Sequence, residues 1–299
     1  MKIIVTGSNG QLGTDSVQIL SETHEVVAMG RSDLDITELT SVEQVVERFR
    51  PAVILNCAAY TRVDDCEEQR ALAFAVNVSG PKNLALCAQK YGGKLIHIST
   101  DYVFDGARTV PNPYVEDDEP APVSYYGQTK LESERVIRDV TDRWIIVRTA
   151  WVYGAVGRNF PKTILRLALK EPQREIRVVN DQFGSPTWSF RLARQIERLI
   201  EVDGRGIYHA AAEGYCTWYE AAATFLKLIG VAQKVSPCTS DQYPTRAVRP
   251  GNSIMDNHRL KAEGINCMRH WKEDLEQFVT LFRDRLIHEA LGERSAEKA

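Results

Sequence analysis

The sequence predicts an α/β protein built on a doubly wound parallel sheet, with a smaller lobe toward the C-terminus. Three observations carry that prediction. Apolar strands alternate with helical patterns through the first half, a glycine-rich turn joins the first strand to the first helix, and two proline-rich stretches then interrupt the rhythm.

The first strand is Lys2 to Thr6, and it runs into Gly7-Ser8-Asn9-Gly10-Gln11-Leu12-Gly13, three glycines spaced three apart. Val17, Ile19 and Leu20 follow at helical spacing. Strand, glycine turn and helix together form a dinucleotide cradle: Gly7 turns the chain sharply, Gly10 lets the backbone approach a pyrophosphate, and Gly13 lets the helix pack on the sheet. The phosphates meet the free amides and positive end of that helix. Further strands read at His24 to Met29, Ala52 to Asn56, Lys94 to Ser99 and Trp144 to Arg148. Ser41 to Phe49 carries Val42, Val45, Val46 and Phe49 on one helical face, and Leu72 to Ala88 carries a longer one. In the C-terminal third, Tyr208-His209-Ala210 reads as a late sheet strand, and Tyr219 to Ile229 and Leu275 to Arg285 read as helices.

Composition narrows the partners. The 299 residues carry a formal net charge of -3 and no lysine or arginine run, which argues against nucleic acid or anionic lipid and for a small polar ligand. No stretch approaches the roughly 18 consecutive apolar residues of a membrane span, and the first strand begins at residue 2, so a cytoplasmic protein is expected. Six scattered cysteines without a C-x-x-C pair or histidine cluster predict packed thiols rather than zinc or disulfides. His97, inside the apolar run Leu95 to Ile98, reads as a packed side chain. The acidic run Glu116-Asp117-Asp118-Glu119, in the proline-rich stretch 105–124, reads as solvated loop surface rather than a metal site.

Chemistry concentrates after the Lys94 to Ser99 strand. Ser99-Thr100-Asp101-Tyr102 places hydroxyl and carboxylate groups at the carboxyl end of a strand, where open α/β sheets bind ligands. Tyr125-Tyr126-Gly127-Gln128-Thr129-Lys130 then opens a helical run, with Tyr126 and Lys130 four apart on one face. A nearby ammonium favours a phenolate, so Lys130 is expected to lower the Tyr126 pKa and make it a usable acid. Thr100 adds a hydroxyl to the same substrate oxygen, completing a carbonyl-reducing site.

These motifs resemble the extended short-chain dehydrogenase/reductase superfamily, through Thr6 to Gly13 and through Tyr126 with Lys130. Within it, Ser99 to Gly106, Tyr126 to Lys130, Arg148 to Gly154 and Asn180 to Thr187 resemble the dTDP-4-dehydrorhamnose reductase family over nearly the whole chain. The resemblance implies a Rossmann unit of residues 1–150 plus about 176–212, and a discontinuous substrate lobe of about 151–175 plus 213–299. It implies hydride transfer from a nicotinamide to the C4 ketone of dTDP-4-dehydro-6-deoxy-L-mannose. Tyr126 protonates the oxygen, Lys130 tunes Tyr126 and holds the nicotinamide ribose, and Thr100 and Asp101 contact the sugar. Tyr102 and Trp151 shape the sugar pocket. Gly10, Gln11 and Leu12 lie at the pyrophosphate, Asp35 and Ile36 by the adenine, and Ala58, Ala59, Tyr60 and Thr61 along the cofactor. Read on its own, Asp35 also suits a cap for a helix beginning near Thr37. Tyr243 to Arg246 with Arg249 to Ser253 resembles the family's R-P-x-N-S loop, and Arg249 either meets the diphosphate or shapes that loop.

The second strand ends Met29-Gly30-Arg31-Ser32, without the acidic residue that holds an NAD ribose. Arg31 suits a 2'-phosphate, so NADPH is expected, with NADH as the alternative. The family resemblance also brings a homodimer and magnesium at its contact, although no ligand spacing here demands a metal. Two other readings stay open: a nucleotide-sugar epimerase or dehydratase on the same cleft, and a non-catalytic subunit resembling the methionine adenosyltransferase beta subunit. Tyr102 follows Asp101 where dehydratases usually carry a glutamate, and the complete Thr100, Tyr126 and Lys130 set favours a reductase.

Overall fold

The computed structural model describes residues 1–292. Among these residues, six parallel strands form the main sheet: β1 (Lys2–Thr6), β2 (Glu25–Met29), β3 (Val53–Asn56), β4 (Lys94–Thr100), β5 (Trp144–Thr149) and the strand Gly206–His209. Their spatial order is β2, β1, β3, β4, β5, then Gly206–His209. The order reverses at β1, whose two neighbours are β2 and β3, so a crevice opens beyond their carboxyl ends. Each strand predicted from the sequence is present, with ends displaced by no more than two residues.

Because every strand is parallel and covered on both sides, both faces are apolar. Ile3, Val5, Leu55, Ile96 and Val147 face α1 (Gln11–Leu20) and a later helix, Ser189–Glu201. Ile4, Ile54 and Leu95 face the opposite side, where α2 (Leu39–Phe49) packs through Val42 and Val46. Between β3 and β4 lie α3 (Val63–Glu68), α4 (Arg70–Phe74), a π-helical turn Ala75–Ser79 and α5 (Gly80–Tyr91). The helix expected over Leu72 to Ala88 is thus a helical run widened by that turn, in which buried Asn77 bonds Tyr60 N at 2.7 Å and Tyr60 O at 3.1 Å. α6 (Tyr125–Val140) follows β4, and the Ser124 hydroxyl caps it by accepting from Gly127 N at 3.2 Å.

The second hydrophobic centre gathers Tyr153, Trp188, Phe225, Trp271 and Phe278, with α7 (Phe160–Lys170) and the helices Trp218–Ile229 and Trp271–Leu291 around it. Ile176–Val179, assigned from the sequence to the first unit, pairs in parallel with Val235–Cys238 and shares a cluster with Ile164, Ala222 and Leu226. Its hydrogen-bond partner is therefore a C-terminal segment.

The acidic run departs from the expected solvated loop. Glu116 is buried and its carboxylate accepts from His209 N at 3.0 Å and Arg259 N at 3.2 Å, while Asp118 takes a bidentate grip from Arg108 at 2.8 Å. Charge density alone does not reveal this, because backbone donors from distant segments supply the compensation. All six cysteines are free thiols.

Candidate active site

The cradle forms where β1 meets α1. Gly7 has φ +63, and a Cβ there would stand 2.7 Å from Ala58 N, so both the turn and the approach of β3 require glycine. A Cβ at Gly13 would stand 2.2 Å from Gly7 O, which seals the helix against the turn. At Gly10 the only neighbour within 4 Å of a Cβ would be Gly7 O, at 3.2 Å, so this face is open. Gly10 is also the N-cap of α1, no side chain caps it, and the first turn has no acidic residue. An open glycine at an uncapped helix start fits a dinucleotide pyrophosphate, with Gln11 and Leu12 opening the helix.

The reacting groups come from β4 and α6. Thr100 ends β4, and its hydroxyl donates to Asp101 Oδ1 at 2.9 Å while accepting from Tyr102 N at 3.2 Å. The Tyr126 hydroxyl lies in the surroundings of Thr100, and its ring meets Tyr102 edge-on at 5.6 Å. Lys130, one turn further along α6, is buried and donates from Nζ to Ile98 O at 2.7 Å. The predicted quartet Thr100, Asp101, Tyr126 and Lys130 is thus assembled at one strand end.

Its electrostatics differ from the sequence expectation. The Tyr126 phenol is raised, not lowered: burial dominates, with Asp101 adding to it and Thr100 opposing. Burial also pulls Lys130 down to about 8, which weakens the ammonium expected to favour a phenolate. The Asp101 carboxyl is pushed up to about 6 by burial, opposed in part by the neighbouring Ser253 and Thr100 hydroxyls, and its Oδ2 has no hydrogen-bond partner among the described residues.

Around this quartet the other expected positions fall into three groups. Ala58, Ala59 and Tyr60 are half-buried beyond β3, and Thr61 is exposed next to them. Arg31 is exposed just past β2, and the nearby Asp33 carboxylate accepts from Gly30 N at 2.8 Å. Asp35 is exposed and accepts from Thr37 N at 2.9 Å and Thr37 Oγ1 at 2.7 Å, a local turn rather than the cap of α2, whose N-cap is Glu38. Ile36 is buried in the cluster of Val42 and Val46.

On the other side, Arg249 grips Asp64 of α3 with bonds of 2.7 and 3.3 Å, and its charge acts on the Tyr102 hydroxyl. Of its two expected uses, the observed one is holding its loop. Trp151 has φ +47 and stacks on Trp218 at 3.4 Å and 6°. A left-handed tryptophan persists only where surrounding packing imposes it. A cavity of about 740 Å³ lies beside this pair, lined by Phe160, Val178, Gln182, Trp218, Tyr243 and Arg249.

Sequence reading did not place Asn56, His97 and Ser133 beneath Lys130, Trp218 behind Trp151, or Asp64 against Arg249. The Trp218 and Asp64 contacts have no local signal. His97 was visible as a polar residue in an apolar strand, and it is indeed fully packed.

A sequence profile described as the RmlD substrate binding domain matches residues 1–283. The chain belongs to this family. Among relatives of this RmlD-family chain, a dTDP-4-dehydrorhamnose reductase of Streptomyces griseus is 42% identical over 287 residues, covering 93% of each chain. A dTDP-4-keto-6-deoxy-D-glucose reductase of Streptomyces niveus is 39% identical over 281 residues, covering 93% of this chain and 96% of its own. The dTDP-4-dehydrorhamnose reductase of Bacillus anthracis, solved in complex with NADP, superposes with a TM-score of 0.90 at 39% identity, covering 94% of this chain and 99% of that one. A UDP-glucose 4-epimerase of Thermus thermophilus at 22% identity, TM-score 0.81, shares the fold alone. Among the described residues no group of three or more His, Cys, Asp or Glu side chains is arranged to hold a metal ion, and no helix is long and apolar enough to cross a membrane.

Proposed function

We propose that the chain reduces the C4 ketone of dTDP-4-dehydro-6-deoxy-L-mannose with NADPH, giving dTDP-L-rhamnose. The observation that carries this reading is the burial of Tyr126 and Lys130, one turn apart on α6, with Thr100 at the end of β4, on the sheet whose cradle is open at Gly10. Names of relatives support the sugar: they are dTDP-4-dehydrorhamnose or dTDP-4-keto-6-deoxy-D-glucose reductases.

The cradle residues Gly7, Gly10, Gln11, Leu12 and Gly13 hold the cofactor pyrophosphate, Arg31 the 2'-phosphate, Asp35 and Ile36 border the adenine, and Ala58 to Thr61 run along the cofactor. When bound, the reduced nicotinamide supplies the hydride. The chain's own residues supply the rest. Burial keeps Tyr126 protonated, so its hydroxyl has a proton to give as the C4 oxygen gains charge. Thr100, whose hydrogen goes to Asp101 Oδ1 in the structure, turns it to the C4 oxygen when substrate binds and holds the carbonyl in place, while Asp101 contacts the sugar. Lys130 holds the nicotinamide ribose and steadies the phenolate left on Tyr126. Tyr102 and Trp151 bound the sugar, and the cavity beside Trp218 and Arg249 has room for the nucleoside diphosphate. A homodimer belongs to this reading and is tested by light scattering.

The deciding assay supplies dTDP-glucose with its 4,6-dehydratase and follows NADPH absorbance, with and without the 3,5-epimerase. Oxidation that requires the epimerase is the expected result. Oxidation without it replaces the substrate with the D-series ketone, and oxidation in neither mixture rejects the reading. Arg31→Ala is expected to lower kcat/KM with NADPH while leaving that with NADH in place.

A further inference from the structure

Beneath Lys130 runs a row of buried polar side chains placed by strand register. Thr6 of β1 lies opposite Asn56 of β3, and Asn56 lies opposite His97 of β4. Ser133 of α6 closes the row, and all four are essentially without solvent contact. We infer that Asn56 locks His97 in one tautomer and that the locked imidazole sets the aim and protonation of Lys130, making His97 a positioning residue for the reduction. The inference rests on the proposed role of Lys130.

The donor logic leaves one arrangement. Asn56 Oδ1 accepts from Thr6 Oγ1 at 2.7 Å and from the Ala58 backbone N at 3.1 Å. A backbone N–H can only donate, so this atom is the amide oxygen and the NH2 group faces His97 Nδ1, 3.0 Å away. An NH2 group also only donates, so Nδ1 carries a lone pair. The imidazole is neutral and its proton sits on Nε2. Burial acts in the same direction, holding the His97 imidazolium well out of reach.

Nε2–H points at two neighbours, each 3.0 Å away: Ser133 Oγ and Lys130 Nζ. Ser133 donates its own hydrogen to Lys130 O at 2.5 Å, so its oxygen is free to accept. Lys130 Nζ accepts only as a neutral amine. Toward an ammonium, His97 offers a hydrogen where an acceptor is needed, so the ammonium has Ile98 O alone in this row and turns its other hydrogens elsewhere. The titratable groups around the pair do not overrule this. Glu134, one turn along α6, is tied to Arg148 of β5 and to Ser99 of β4. Cys57, just past β3, has its thiol pushed up to about 12 and stays neutral. Tyr126 is held protonated by burial. Lys130, pulled down by burial to about 8, is left able to exchange its proton near neutral pH.

The test reads the imidazole directly. In the full-length protein with 15N-labelled histidine, long-range NMR correlations are expected to give a His97 ring protonated at Nε2 and bare at Nδ1, unchanged between pH 6 and 9. A proton on Nδ1 overturns the inference, whatever any variant does. Asn56→Asp replaces the NH2 donor by an acceptor, so the tautomer is expected to reverse and Nε2 to accept from the Lys130 ammonium. The basic limb of kcat against pH then moves up by about one unit. A ring that does not reverse removes control from Asn56. A reversed ring with an unmoved limb, while Lys130→Met abolishes turnover, sinks the inference and leaves the proposed function standing. If Lys130→Met retains full turnover, the proposed role of Lys130 fails instead.

Discussion

Tyr126 is a phenol kept neutral by its surroundings, which leaves the proton on its oxygen and makes it a weaker acid than a free tyrosine. Removing only its hydroxyl tests the assignment: Tyr126→Phe is expected to lower kcat by about 10²- to 10⁴-fold, with NADPH affinity by fluorescence titration unchanged. Its neighbour Asp101 gives a prediction in stability. Burial pushes the folded-state carboxyl up to about 6 from its ordinary 3.8, so the folded chain holds this proton to higher pH than the unfolded chain. The associated stability is complete below about pH 4 and is lost as pH rises through about 6. Asp101→Asn is therefore expected to gain on the wild type between pH 4 and 7.5, by on the order of 3 kcal/mol in urea unfolding. An equal difference at both pH values contradicts it. At this scale the sequence identified residue types and spacing, but not the sign of the Tyr126 shift, because burial is a property of everything packed around the ring.

Among the elements, the β1–α1 junction separates two roles that glycines play in one motif. A methyl at Gly13 collides with the Gly7 carbonyl at 2.2 Å, backbone that cannot move without carrying α1 off the sheet. At Gly10 a methyl meets one atom at 3.2 Å and otherwise enters the open space where the pyrophosphate is proposed to lie. Gly13→Ala is expected to lose several kcal/mol of stability, on the scale of overpacked cores. Gly10→Ala is expected to keep its melting temperature within about 4 °C, a change of under 1 kcal/mol, and to weaken NADPH binding at least about tenfold. Similar melting losses in both variants would remove the distinction. The strands were legible because buried parallel strands are short apolar runs bounded by turn residues. The π-helical turn at Ala75–Ser79 was not, since its buried Asn77 answers to Tyr60, 17 positions earlier.

Across the whole molecule, the C-terminal loop is tied over the core unit by two ion pairs on α3, Arg249 with Asp64 and Arg246 with Glu68. Arg246 and Glu68 are exposed and Arg249 and Asp64 partly so, which keeps the contribution of both pairs to stability small. Their expected effect is on substrate, because Arg249 lines the cavity beside Trp218. Asp64→Asn is expected to raise KM for the sugar nucleotide about tenfold, equivalent to about 1.4 kcal/mol, with kcat within about threefold. A fall in kcat at constant KM in steady-state kinetics would place the pair in the chemistry instead. Glu134 with Arg148 is the contrasting case, buried and linking α6 to β5 at 2.7 Å. Arg148→Met is expected to cost about 3–5 kcal/mol in unfolding, since it leaves the Glu134 carboxylate without its cation.

By itself the sequence determined the sheet, the cradle and the Tyr126–Lys130 spacing. Each is written within a few neighbouring residues, where strand alternation, glycine geometry and helical period act locally. Tertiary structure alone decided that His97 faces Lys130, that Glu116 is buried, and that Arg249 binds Asp64 185 positions away. These pairings depend on strand register and loop docking, and a buried polar group takes whichever distant partner the fold brings within hydrogen-bond reach.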